Sequence, residues 1–449
     1  MPSAECRVFT DYAHHPAEIA CALSMARALK PKRLRVMFQP HRYSRTKTFL
    51  NEFPPAFAEA DEVVLVPVYP AFEAPILGGD IADLYLAFRN SPSRQPKTAK
   101  NPSPHLSSIS YQLSSKPLLL ARSAEEAWRH LYLTLEPGDL VMLLGAGDLI
   151  NLVPRILEEM AAGSETRNPK LGTPLAPLSF FRTGGVTYGH VIHDTKTSIA
   201  SHPQTLNSKL KTLNSKLETQ NSKLETQNSK LPTIIGMGSN TWFSDCATDA
   251  DILKAPEGCS AARPGASLLA DHPELAFMAG IPGTIGSWAK MNAGAFGDSF
   301  GNHIDSVIAD GRKIPAAECG FGYRTSTIPG LITEVILKPA PRTPHPATTN
   351  YQLPTTNYLA RRKKFPPRTC GSVFKNPSPE QPAGKLLEEV GAKSLRVGGA
   401  SVWSEHANVI VAGDGCTSSD ILALARLMAA RVRDRFGISL VPEIRGLEV

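Results

Sequence analysis

The chain of 449 residues contains no run of eighteen apolar residues, which excludes a conventional membrane-spanning helix. Its start carries no basic stretch followed by an apolar core, so nothing marks it for secretion. Cysteine is scarce: Cys6, Cys21, Cys246, Cys259, Cys319, Cys370 and Cys416 are odd in number, scattered, and include no C-x-x-C pair. This pattern speaks against a zinc or disulfide framework and for free thiols in a reducing cytoplasm, with no metal site expected. No basic patch with interleaved aromatics is present. The formal charge is +7, and part of it comes from one repetitive segment where five lysines face two glutamates. A nucleic-acid partner is therefore not expected. The mild remaining excess suits an anionic, phosphate-bearing small molecule.

The length allows two or three domains with substantial cores. Residues 1–163 read as alternating strands and helices. Strand-type runs lie at Cys6–Phe9, Leu34–Phe38, Val63–Val68 and Leu140–Leu144, and helical stretches at Pro16–Ala28, Phe49–Ala60, Ala124–Thr134 and Leu149–Ala162. That alternation predicts a mainly parallel, doubly wound sheet. Polar residues collect where the strands end: Asp11-Tyr12-Ala13-His14-His15, then Gln39-Pro40-His41-Arg42-Tyr43-Ser44-Arg45, then Tyr69 to Glu73, then Gly145-Ala146-Gly147-Asp148. Ligands of open α/β sheets bind beyond the carboxyl ends of strands. His41, Arg42 and Arg45 form a cationic set suited to a carboxylate or phosphate.

These four motifs, in this order, resemble the C-terminal domain of the Mur ligases, closest to the UDP-N-acetylmuramate–L-alanine ligase type. The resemblance implies a Rossmann-like α/β domain over 1–163, with Asp11, His14, His15, His41, Arg42 and Arg45 as its ligand residues. In that family the domain helps bind the amino acid and closes over the nucleotide. The family's glycine-lysine phosphate loop has no counterpart before Asp11, so residues 1–163 alone are not expected to activate ATP.

Low-complexity stretches follow. From Thr205 the chain repeats every seven residues as TLNSKLK, TLNSKLE, TQNSKLE and TQNSKL. Leucines at heptad spacing give way to Gln220 and Gln227, and Asn, Ser and Thr are poor helix formers, so no stable coiled coil is expected. With residues 90–116 and 343–360, the span 197–231 reads as a surface insertion.

Beyond it stands a second set of motifs. Ile234-Ile235 runs into Gly236-Met237-Gly238-Ser239-Asn240, a strand ending in a turn whose bare amides could cradle a pyrophosphate. Five glycines lie between Gly280 and Gly297, a density that speaks against an ordinary helix or strand and for close backbone approach to a ligand. Phe321-Gly322-Tyr323-Arg324-Thr325-Ser326 sets an arginine beside an aromatic. Cys370-Gly371-Ser372-Val373-Phe374-Lys375-Asn376-Pro377 places a serine after small residues, ahead of a charge and an amide. Gly398-Gly399-Ala400, His406-Ala407-Asn408 and Pro442-Glu443-Ile444-Arg445 complete the series.

Together these seven motifs resemble the UDP-N-acetylenolpyruvoylglucosamine reductases over most of 171–449. The resemblance implies an α+β FAD-binding domain at 171–342 and an α+β substrate domain at 361–449, with NADPH reducing a UDP-sugar enolpyruvyl ether through FAD. Ser372 would be the proton donor, and Arg324 and Glu443 would flank the substrate carboxylate. Tyr323, Lys375 and Asn376 would face the UDP-sugar. Gly236, Gly238, Ser239, Asn240, Gly280, Pro282, Gly283, Thr284, Gly286, Asn292, Gly294 and Gly297 would line the cofactor. The strand-helix-strand unit usual after Arg182-Thr183-Gly184-Gly185 is largely replaced by the repeat. Three readings stay open on the sequence: a working flavin reductase; an eroded, non-catalytic fusion acting as a binding partner; and the amino-acid-binding half of a Mur ligase whose other domains belong to a separate chain.

Overall fold

The computed structural model describes residues 6–91, 116–162, 245–246, 272–330, 332–339, 357–358, 360 and 365–449, with short strands at 173–174, 186–187, 191–193, 198–200, 233–235 and 252–254. The chain divides into two compact units, Met1–Tyr188 with Thr241–Asp249 and Pro366–Val449, and Gly189–Asn240 with Ala250–Phe365. The first and last of the three expected domains thus fall in one unit.

That unit opens with five parallel strands, Arg7–Asp11 (β1), Arg33–Phe38 (β2), Glu62–Leu65 (β3), Leu118–Leu120 (β4) and Asp139–Leu144 (β5), in the order β1-β5-β2-β3-β4. Its helices are Pro16–Ala28 (α1), Tyr43–Thr48 (α2), Phe53–Ala56 (α3), Ile81–Asn90 (α4), Ala124–Leu133 (α5) and Val153–Ala162 (α6). Alternate side chains of a strand point to opposite faces. Accordingly Leu34, Val36 and Phe38 of β2 share a core with Ile19 and Leu23 of α1 and Leu84 and Phe88 of α4. Met37 turns the other way, into the core of Trp128 and Leu131 from α5. Both faces are covered, as a parallel sheet requires.

Sequence cues set the helix ends. Pro16 occupies the first turn of α1, and the Glu18 carboxylate accepts the His14 and His15 amides at 3.1 Å each. Asp80 caps α4 by accepting the Ala82 amide at 3.1 Å. The long helix expected at 49–60 shrinks to Phe53–Ala56, because Pro54 and Pro55 have no amide to donate. The stretch from Leu149 divides into a 3-10 turn, Asp148–Leu152, and α6, which starts just before Pro154.

Thr173–Pro174 (β6) pairs antiparallel with Val186–Thr187 (β7). In the second unit, Val191–His193 (β8), Thr233–Ile235 (β10) and Ile252–Lys254 (β11) form a parallel sheet in the order β10-β11-β8. Ser198–Ala200 (β9) pairs parallel with Ile332–Leu337 (β16), which removes those three residues from the span 197–231 read as an insertion. A helix, Ile285–Met291 (α7), and a tight hairpin, Gly294–Ala295 (β12) with Asp298–Ser299 (β13), precede Ile304–Ala309 (β14) and Arg312–Pro315 (β15). The four-stranded sheet runs β15-β14-β16-β9 over a core holding Trp288, Phe300, Val307 and Val335.

The glycine-rich stretch therefore does contain a helix, contrary to expectation. Thr284 caps it by accepting the Ser287 amide at 3.2 Å. Burial of Ile285, Trp288 and Ala289 anchors this short helix against the low helix propensity of Gly286 in its first turn.

The chain then returns to the first unit with Ala383–Glu389 (α8), an antiparallel sheet of Arg396–Val397 (β17), Ala400–Val402 (β18) and Ile410–Ala412 (β19), and the nineteen-residue helix Ser418–Phe436 (α9).

Candidate active site

Residues 372–375 run extended between two partners distant in sequence. On one side Ser372 bridges Val409, and the Val373 amide donates to Asn408 O at 2.9 Å. On the other, Phe374 bridges Pro442, the Glu443 amide donates to Val373 O at 2.7 Å, and the Lys375 amide donates to Val441 O at 2.8 Å. Val373 and Phe374 are buried and anchor this strand, while Ser372, Lys375 and Glu443 remain partly exposed. Gly371 has φ +80° with open space where a Cβ would stand, so the turn before Ser372 rests on a backbone shape that other residues resist. The structure thus brings Ser372, Lys375 and Glu443 onto one backbone-bonded platform. Asn376 sits at its end, its Oδ1 accepting the Ala383 amide at 3.0 Å and fixing the start of α8.

Asn408 is the residue whose role the sequence did not disclose. Fully folded inside, it accepts the Phe374 amide at 2.9 Å through Oδ1 and donates to Phe374 O at 2.8 Å through Nδ2. A side-chain amide thereby replaces one rung of a ladder. Asn408→Leu leaves both backbone groups buried and unpaired, so stability of the full chain should fall by about 2–5 kcal/mol. Urea unfolding checks this; an unchanged midpoint refutes the clamp.

The second unit holds Tyr323 and Arg324. Arg324 has φ +55°, donates from Nη2 to Gly294 O at 2.7 Å, and lies 5.3 Å from the Tyr323 ring centroid. The candidate cofactor residues separate into two kinds. Gly283 (φ +129°) and Gly294 are demanded by local packing, since a Cβ would press on Ser287 Oγ or Asp298 O. Thr284 is spent on the helix cap, and Gly286 is buried within α7. Asn292 accepts the Gly301 amide at 2.8 Å and donates to Gly322 O at 2.9 Å. These five build the wall. Gly280 (φ +78°), Pro282 and Gly297 (φ +90°) form its accessible part, and nothing lies within 4 Å of a Gly297 Cβ. Bare backbone of that kind fits close approach by a flat ring system such as FAD. Gly236, Gly238, Ser239 and Asn240 lie outside the described residues.

The ligase-type cluster also assembles. The His14 and His41 rings are 5.6 Å apart, His41 stacks on Tyr69 at 5.5 Å, and Arg45 Nη1 lies 3.2 Å from His41 Nδ1. Burial, then the Arg45 charge, lowers the His41 pKa, which keeps that ring neutral at pH 7. Arg42 stands beside it at φ +71°. His15 instead packs edge-on against Phe49 at 4.4 Å, and the Asp11 carboxylate accepts the Ala13 amide at 2.8 Å. Tyr12 and Tyr69, which stand inside the ligase-type motifs but were not named among the ligand residues, supply the aromatic faces of the cluster.

Comparison with known proteins agrees with both halves. Residues 2–147 match the family described as "Mur ligase, glutamate ligase domain", and 362–447 match "UDP-N-acetylenolpyruvoylglucosamine reductase, C-terminal domain". The chain is 38% identical over 239 residues to the UDP-N-acetylenolpyruvoylglucosamine reductase of Anaeromyxobacter sp. (strain Fw109-5), covering 47% of this chain and 74% of that protein. Against the protein of the same name from Gloeobacter violaceus it is 33% identical over 243 residues, covering 48% and 81%. The crystal structure of the Thermus caldophilus reductase is similar at 24% identity and a TM-score of 0.46, covering 61% of this chain and 97% of that one. The chain belongs to the UDP-N-acetylenolpyruvoylglucosamine reductase family of oxidoreductases and carries its reductase behind a Mur ligase C-terminal domain.

Proposed function

We propose that this chain reduces UDP-N-acetyl-enolpyruvoylglucosamine to UDP-N-acetylmuramate, a peptidoglycan precursor, with NADPH as reductant and FAD as cofactor. The observation that supports this most is the platform that presents Ser372 and Glu443 from adjacent, hydrogen-bonded segments. Gly280, Pro282 and Gly297 would hold the cofactor together with Gly236–Asn240. FAD, when bound, supplies the hydride that reaches the terminal carbon of the enol ether.

The chain's own residues deal with the charge and the proton that follow. Charge spreads onto the neighbouring carbon and its carboxylate. Arg324, a permanent cation with its fork partly fixed by Gly294 O, stabilises that charge. Glu443, in its protonated form, donates to the same carboxylate oxygens. Ser372 Oγ gives its proton to the carbon adjacent to the carboxylate. Tyr323, Lys375 and Asn376 orient the nucleotide sugar. The reaction belongs in the cytoplasm, in keeping with the scattered cysteines of the sequence, which include no C-x-x-C pair.

The purified chain should be yellow, with a flavin band, and should oxidise NADPH only when the enolpyruvyl UDP-sugar is added. A colourless, soluble chain without that turnover would favour the non-catalytic fusion instead. The His14–His41–Arg45 cluster favours a second activity for 1–163, as the amino-acid-binding half of a Mur ligase. ATP turnover appearing only on addition of separate ligase domains tests it.

A further inference from the structure

The helix α9 enters the structure at a buried polar junction whose side-chain donors come from the ligase-type domain. Asp420, fully buried, is its centre. Its carboxylate accepts from Tyr85 Oη at 3.0 Å and from Arg89 Nη2 at 3.3 Å, both on α4. It also accepts the Thr417 amide at 3.1 Å and the Gly399 amide at 3.2 Å on the reductase side. One residue back, Ser419 Oγ accepts the Leu120 amide at 3.1 Å. Leu120 lies on β4, the outer strand of the ligase sheet, so the start of α9 satisfies an amide that an edge strand would leave open. Asp245, half-buried beside it, accepts the Ser418 and Ser419 amides at 3.1 and 2.6 Å. The apolar side is continuous as well. Leu84, Tyr85 and Phe88 of α4 lie in the same core as Leu422, Ala425 and Met428 of α9.

We propose that the α4 face and the β4 edge of the ligase-type domain are the docking surface for α9 of the reductase C-terminal domain, and that the two domains open and close as one cooperative body. In this chain the ligase-type domain serves the reductase as a scaffold. The junction is selective because a buried carboxylate tolerates no missing donor, whereas apolar packing alone would allow sliding. Gly398 and Gly399 are explained by it. A Cβ on Gly398 (φ +51°) would collide with Asp420 and Arg89, and one on Gly399 with the Cys416 backbone. The junction also reaches the reductase platform. Gly399 O accepts the Gly413 amide at 2.8 Å, and that sheet continues through β19, which follows directly on Val409, the bridge partner of Ser372. None of this depends on the flavin chemistry, so the proposal and the reductase reading fail separately.

Native-state amide exchange of the full chain in graded urea decides it. The slow amides of α4 and α9 should share one opening isotherm with one slope. Tyr85→Phe, which removes a single hydroxyl and keeps the packing, should accelerate the slow amides of both helices by the same factor, about tenfold or more. Two isotherms of different slope, or acceleration confined to α4, would overturn the proposal. Arg89→Met gives a second reading of the same quantity, since it leaves Asp420 without its cation. Equal acceleration in both helices supports the joint body, and any unequal response refutes it.

Discussion

Ser372→Ala should leave the bleaching of the flavin band by NADPH unchanged and slow its return on mixing with the enolpyruvyl substrate by roughly a hundredfold or more, the usual cost of losing a positioned acid. The first of these half-reactions needs no proton on the sugar; the second cannot finish without one. The variant is a clean probe because the strand 372–375 is held by backbone bonds and by the buried side chains of Val373 and Phe374. Nothing in that scaffold relies on the hydroxyl as drawn by those bonds. Ser372→Cys should retain part of the second step, since a thiol also carries a proton. Stopped-flow absorbance separates the two steps. Equal slowing of both would sink the assignment and point to a disturbed cofactor site.

The largest expected effect on stability comes from Arg35. Its side chain is buried within the ligase sheet, paired with Glu62, with Nη2 donating to Thr134 Oγ1 at 2.6 Å and Nη1 lying 3.7 Å from Asp139 Oδ2. His130 Nε2 lies 2.8 Å from the other Glu62 oxygen. Removing one member of a buried ion pair strands the other, so Arg35→Met should cost about 3–5 kcal/mol, read as a lower midpoint in urea at pH 7.

Burial pushes the Glu62 carboxyl up, but Arg35 and the His130 hydrogen bond outweigh it and hold the group well below the usual carboxylate value. A depressed native pKa stabilises the fold above the unfolded value, 4.5 for this group, and that stabilisation drains away as pH falls below it. The gap between parent and Arg35→Met should therefore narrow progressively under acid. A gap independent of pH between 7 and 3 would show that the charge pair is not its source.

The sequence itself determined the elements whose cause is local. The helix Pro16–Ala28 appears with the expected bounds, because a proline at its first turn and the spacing of Ile19, Leu23 and Ala26 need no distant partner. Strand β2 was legible for the same reason, whereas His41, read with Arg42 and Arg45 as one cationic set, is held neutral by burial and the Arg45 charge. The motif residues of the reductase could be listed in order, since glycines and a small-residue turn mark themselves by type.

What the sequence could not supply is anything fixed by contacts remote along the chain. The short strand Leu118–Leu120 and the helix Ile81–Asn90 flank the 90–116 segment, and both are hydrogen-bonded to the N-terminal part of α9, about 300 residues later. Glycine density wrongly spoke against a helix at Ile285–Met291, where burial of Trp288 against Phe300 overrides propensity. Asn292 and Thr284 read as ligand groups, and the fold also gives each a backbone partner that the sequence did not disclose. Asn408 became a clamp for Phe374 across 34 residues. Local pattern names which residues can do chemistry. Which of them face a ligand, and which hold the wall behind it, is decided by partners far away in sequence, because hydrogen-bond demand and burial are satisfied in space and leave no periodic trace along the chain.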